Sequence, residues 1–213
     1  IKRCGDWRQR YFGGQKYAYR HHCNHPLCPV CGPVLKQREL DRVWWSLCQL
    51  GRCDPEREHL SFITINIVYF QLGQDLSDTV EKTLRKLRYR VSGLLKAQLY
   101  GEWEIAPQQD GTGLLHLHGW IHHPGVAAFS VLRSLRKAFP EPRAVSVLPM
   151  YEEGSVEQQF YKASKYGGKL WNGITGFEKA TPRVVSGVME SLMSIRTRGR
   201  KGLRVEIGLR RKS

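Results

Sequence analysis

The sequence predicts an α+β fold: an antiparallel sheet of about five strands flanked by helices, with a small cysteine-rich module ahead of it. Three observations predict this. From residue 61 onward, strand-like and helix-like apolar patterns follow one another in the order β-α-β-β-α-β-α. The opening residues 1–32 are rich in Cys, His, Gly and aromatics and poor in aliphatics, so they cannot bury a core of their own and need a staple. The chain has 213 residues, 41% of them hydrophobic, enough for one ordinary domain and such an appendage. The expected division is 1–55 for the N-terminal module with its helix, and 56–213 for the main domain with a basic C-terminal tail.

Each element has its own signal. Residues 33–51 read as a helix: Pro33 suits the first turn, Leu40, Val43, Trp44 and Leu47 recur at helical spacing, and Gly51 can close it. SFITINIVYF (61–70) is β-branched and aromatic throughout, hence a strand. Residues 76–99 read as one long amphipathic helix, with Val80, Leu84, Leu87, Val91, Leu94 and Leu95 on one face and basic residues on the other. Residues 99–107 and 113–123 are two strands around the turn segment PQQDGTG. A helix over 125–139, a strand over 143–151 and a helix over 155–166 follow. PRVVSGVMESLMSIRTR reads as helix and LRVEIGL as a late strand. The order suggests a split βαβ, ferredoxin-like sheet backed by helices.

Charge points to the partner. Lys and Arg number 34 against 19 acidic residues, a net charge of +15, which suits a polyanion and above all a nucleic acid. No apolar run reaches membrane-spanning length, and the polar opening IKRCGDWRQR is no signal peptide. The start at Ile suggests a trimmed or processed chain, and a cytoplasmic setting is expected. The six cysteines therefore suit metal binding better than disulfides.

GLLHLHGWIHHP (113–124) holds four of the eight histidines. Alternation along a strand puts His116 and His118 on one face, about 6.6 Å apart at Cα, within reach of a single metal ion. His122 shares that face but lies about 13 Å further on, and His123 points the other way. The preceding strand offers Glu102 and Glu104, both on one face, as a third ligand. Two imidazoles and a carboxylate with open positions suit Mn²⁺, Mg²⁺, Fe²⁺ or catalytic Zn²⁺. Further on, KASKYGGKLW places Tyr166 and Lys169 three residues apart on one helix face. A tyrosine hydroxyl can attack a phosphodiester when a metal polarises the phosphate and a cation offsets the growing charge.

A strand FITINI, then HLHGWI, then a helix with SKYGGK, in that order, resembles the HUH endonucleases. The resemblance is closest to the rolling-circle replication initiators (Rep proteins) of small plasmids and viruses, and it covers about residues 60–172. Phe62 to Ile67, with polar Thr64 and Asn66, matches their first motif. His116-Leu117-His118 matches the motif that names the superfamily, and Lys165-Tyr166-Gly167-Gly168-Lys169 matches the third, K-Y-x-x-K. The resemblance implies an HUH, ferredoxin-like or RRM-like core. It implies that His116, His118 and a third polar ligand hold Mn²⁺ or Mg²⁺ against the scissile phosphate. Tyr166 then attacks, leaving a 5′-phosphotyrosine link and a 3′-hydroxyl that primes replication. Glu104-Ile105-Ala106 fits the family's ligand strand better than Glu102 does. Tyr161 lies five residues before Tyr166, about 140° around a helix, where two-tyrosine initiators use four; a single nucleophile is expected. The glutamate that some initiators carry four residues before the tyrosine is Lys162 here.

HHCNHPLCPVCG contains Cys28-Pro-Val-Cys31-Gly, a turn that aims two thiolates at one ion. Cys23 can join, and Cys4 is the natural fourth ligand of a structural Zn²⁺, with His22 and His25 as competitors. Cys23 to Cys31 is similar to a C-x-x-R-x-C-P-x-C element of many plasmid and transposon HUH proteins, without its arginine. Cys48 and Cys53 are bystanders. Arg8, Arg10, Tyr11, Lys16, Tyr17, Tyr19 and Arg20 interleave cations with aromatics, a pattern that neutralises phosphates and stacks bases. With Lys165, they are the expected DNA contacts.

The function expected is therefore a replication initiator that nicks and joins single-stranded or hairpin origin DNA in the prokaryotic host of a plasmid or virus. A helicase and a polymerase of host or plasmid would work with it. A single-tyrosine transposase shares the chemistry. A zinc-dependent nucleic-acid-binding module without catalysis, or an iron oxygenase, is the reading from other classes. No phosphate-binding G-x-x-x-x-G-K-[ST] loop occurs in the chain.

Overall fold

The computed structural model describes residues 4, 6–20, 30–51, 59–108, 110–150, 154–167, 181–196 and 204–208. Two strands, β1 (Trp7–Phe12) and β2 (Gln15–Arg20), pair as a hairpin. Helix α1 (Cys31–Gly51), strand β3 (Leu60–Gln71) and helix α2 (Ser77–Arg88) follow, with a π-helical turn at Tyr89–Leu94. Then come β4 (Gln98–Pro107), β5 (Thr112–His122), α3 (Ala128–Arg136), β6 (Val145–Pro149), α4 (Val156–Gly167), α5 (Pro182–Arg196) and β7 (Arg204–Ile207).

Five strands form one antiparallel sheet in the order β6-β3-β5-β4-β7. Strand β5 sits between β3 and β4 and runs against both, so β3 and β4 are parallel neighbours split by an inserted strand. Likewise β3 separates β5 from β6. This is the split βαβ arrangement expected from the element order, with the late strand β7 added at the far edge. Among the described residues no helix is long and apolar enough to cross a membrane.

Alternation gives the sheet two different faces. Ile63, Ile65, Leu99, Trp103, Ile105, Leu115, Leu117 and Ile121 point to one, where Val80, Leu84, Leu87 and Val91, Val131 and Leu135, and Val188, Leu192 and Ile195 complete a buried core. The other face carries Leu60, Tyr100 and Trp120, against which Leu40, Val43, Trp44 and Leu47 of α1 and Phe160 of α4 close a second, smaller core. Helix α1 thus shares its apolar face with the sheet.

Two expectations are corrected, and one element is new. The long helix over 76–99 ends at the π-helical turn, and β4 begins at Gln98. The wider turn rotates later side chains off the helix face, so Leu94 is exposed while Val91 remains buried. The helix over 125–139 spans only Ala128–Arg136. Residues 7–20, which have no aliphatic pattern, nonetheless form a hairpin. Its signal is the Gly13-Gly14 pair, both at positive φ, which the tight two-residue turn demands.

Candidate active site

Among the described residues the second face of the sheet is covered in part. Helices α1 and α4 close one end, and at the other the strand register lines up polar residues in rows. Asn66, His116 and Glu104 oppose one another, and so do Thr64, His118 and Glu102. The period of two makes this unavoidable: whatever puts Leu115 and Leu117 into the main core puts His116 and His118 on the opposite side. Gly119 and Gly101, paired across the strands just beyond, let β4 and β5 lie close there. A Cβ on Gly119 would come within 2.2 Å of the Tyr100 carbonyl oxygen.

His118 sits at the centre of the group. Its Nε2 lies 3.2 Å from Glu104 Oε2. Its Nδ1 is 3.0 Å from the Thr64 hydroxyl. His118 and Glu104 side chains keep 20% and 13% exposure, so the pair is sheltered but reachable. The His116 ring stacks parallel on His118 at 5.4 Å, and its Nδ1 is buried without a hydrogen-bond partner among the described residues. Burial, followed by the neighbouring His118, pushes the His116 pKa down against the pull of Glu104, so the ring stays neutral and keeps a lone pair for a ligand. The carboxylate contact is diagonal: Glu104 faces His116 in register but reaches His118, while Glu102 accepts a hydrogen bond from Tyr100 at 3.1 Å.

The donor set suits a divalent ion: two imidazoles, one carboxylate, and a hydroxyl on the second nitrogen of His118, as an outer partner that orients a ligand ring does. Among the described residues the buried His116 nitrogen lacks a partner, as do His122 Nδ1 and Gln98 Oε1 outside this group. Among the described residues no three such side chains already converge on one point as a formed metal cluster.

Helix α4 is fastened beside this group. Trp120, one strand repeat beyond His118, donates its indole N–H to Ser164 at 2.9 Å and packs on Phe160 at 5.3 Å. Ser164 and His118 line one shallow pocket with Leu40, Phe62, Tyr100 and Glu102. Tyr166 follows Ser164 by two residues, about 3 Å further along the helix axis. It and Lys165 lie in the last turn of α4, their side chains outside the described atoms; Lys169 lies outside the described residues. Tyr161 is differently employed. Its hydroxyl donates to Asp41 of α1 at 2.8 Å, and burial together with that carboxylate drives its pKa far up.

The remaining expected residues are placed in part. Cys4 and Cys31 meet, Sγ to Sγ 3.2 Å, with Cys31 opening α1; Cys23 and Cys28 lie outside the described residues, and no zinc centre is assembled among those described. Arg8, Tyr11 and Lys16 lie on the β1–β2 hairpin, as does the backbone of Arg10. Thr64, Trp120 and Ser164 had no assigned role in the sequence. Thr64 carried the only signal, a polar residue in an apolar strand.

At the far end of β5, His123 is fully buried, bonded through Nε2 to Ser61 at 2.8 Å and through Nδ1 to the Val126 carbonyl at 2.6 Å. His122 is buried too, and burial lowers its pKa to about 4; the His123 pKa is also lowered. Both rings are neutral when folded at a pH where unfolded chains would charge them. The unfolded state therefore binds more protons below about pH 6.5, and stability present above that value falls as pH drops towards 4. With solvent screening allowed for, His122 accounts for no more than about 2 kcal/mol of the loss. Urea midpoints measured between pH 7.5 and 4.5 should fall accordingly, and His122→Gln should flatten the fall.

Compared with family models, curated proteins and solved structures, the chain finds no match.

Proposed function

We propose that the protein is a metal-assisted tyrosine endonuclease that nicks and rejoins single-stranded origin DNA, the initiating step of rolling-circle replication. One observation carries this reading: Glu104, His118 and Thr64 are linked across three strands beside His116, and His118 shares a pocket with Ser164 of α4, two residues before Tyr166. In this reading His116, His118 and Glu104 hold Mn²⁺ or Mg²⁺, which supplies charge stabilisation for the scissile phosphate. Thr64 fixes the ring of His118. The Tyr166 oxygen bonds to phosphorus as its proton leaves to solvent, and the bond from phosphorus to the 3′-oxygen breaks. The departing oxygen takes a proton and becomes a 3′-hydroxyl. Lys169 and Lys165 offset the phosphate charge. Because one phosphodiester replaces another, the reverse attack rejoins the strand without further input of energy. Tyr161, held by Asp41, belongs to the scaffold. Cys4 and Cys31, which meet at 3.2 Å, would hold a structural Zn²⁺ together with Cys23 and Cys28.

Incubation with a pool of end-labelled single-stranded oligonucleotides and Mn²⁺ tests this. The expected result is a denaturation-resistant protein–DNA adduct, lost in EDTA and lost in Tyr166→Phe. An adduct of undiminished yield in Tyr166→Phe would refute the proposed nucleophile.

A further inference from the structure

We propose that the β1–β2 hairpin is a wing that enters a groove of duplex DNA tip first, with a phosphate backbone on either side. This rests on the DNA-processing reading of the active site and adds a second, double-stranded contact to it. Among the described residues the hairpin is a sheet of its own, paired with no other strand. Residues 7–20 contain four cations, Arg8, Arg10, Lys16 and Arg20, and no acidic residue. Tyr11 and Tyr17 are 69% and 50% exposed, open to contact a ligand.

The register decides which form of DNA fits. Tyr11 faces Lys16 across the ribbon on one side. Arg8 and Tyr17 belong to the other side by strand alternation, where the Tyr17 hydroxyl donates to Gln15 at 2.7 Å. Both faces thus carry a cation with an aromatic. A single-strand platform gathers its stacking and charged groups on one face. A ribbon flanked by two phosphate walls needs them on both. With its side chains a two-stranded ribbon is about 10 Å thick, and the major groove is about 12 Å wide. The tip is Gly13-Gly14, where an added Cβ would meet nothing within 4 Å, so bare backbone leads the way in. Six residues per strand reach about 20 Å, deep enough to span the groove.

Fluorescence anisotropy of the full chain on a labelled DNA hairpin stem and on a single strand of equal length, across a salt series and without metal, tests the wing. Arg8→Ala and Lys16→Ala should each weaken stem binding roughly threefold to tenfold and reduce the salt slope by about 1, the double variant by about 2. Lys16→Arg should restore it. The ratio of stem to single-strand affinity should fall in each alanine variant. Unchanged stem affinity, or an equal loss on both DNA forms, overturns the proposal. The measurement needs no cleavage, so a failure of the nicking reading and a failure of the wing are separately visible.

Discussion

His118→Ala is expected to slow adduct formation by about a thousandfold. Among the described residues His118 is the side chain that touches both the carboxylate and the hydroxyl of the site. If the proposed function holds, its removal takes away a metal ligand and releases Glu104, whose charge then faces the phosphate unneutralised. A bound metal contributes several kcal/mol to charge stabilisation at a phosphoryl group, and a loss of about 4 kcal/mol is about three powers of ten in rate. His116→Ala should approach the same loss. Thr64→Val should cost less, about tenfold to a hundredfold in metal affinity, because it removes only the orienting partner of the ring. Single-turnover rates over a Mn²⁺ titration separate the two: Thr64→Val recovers at high metal, His118→Ala does not. Equal rates in His118→Ala and the parent chain would place the chemistry elsewhere.

Trp120→Ala is expected to be the most destabilising single change in the second core, by about 3 to 5 kcal/mol. The indole is 2% exposed, packs edge-on against Phe62 at 5.1 Å and touches Phe160, and its N–H holds Ser164. Truncation opens a cavity beneath α4 and strands a buried hydroxyl. Both effects loosen the helix that carries Tyr166. Trp120→Phe keeps the ring packing and loses the hydrogen bond, which costs about 1 kcal/mol. Urea unfolding reads the stability. In adduct assays Trp120→Phe should lose rate out of proportion to its small loss of stability, since its effect acts through the position of α4.

Much of this was legible in the sequence, for definite reasons. Alternation alone put His116 and His118 on one face, and the hairpin register that joins Glu104 to them follows from the short turn between β4 and β5. The five-strand antiparallel sheet follows from the order of periodic segments. What was not legible depends on contacts distant in sequence. Glu104 reaching His118 rather than its register partner His116 is a matter of rotamers. Asp41 and Tyr161 are 120 residues apart, and no spacing rule links them. The π-helical turn at Tyr89–Leu94 inserts a register change that an apolar pattern of period 3.6 does not reveal. The N-terminal hairpin buries no aliphatic stripe, so only its glycine pair spoke for it.

Peptide mapping of the denatured protein–DNA conjugate by mass spectrometry tests the central claim most directly. The nucleotide should sit on the peptide containing Tyr166, joined through a 5′-phosphate, in metal-treated samples alone. A conjugate mapped to Tyr161, or cleavage of DNA with no covalent protein intermediate, would contradict the account.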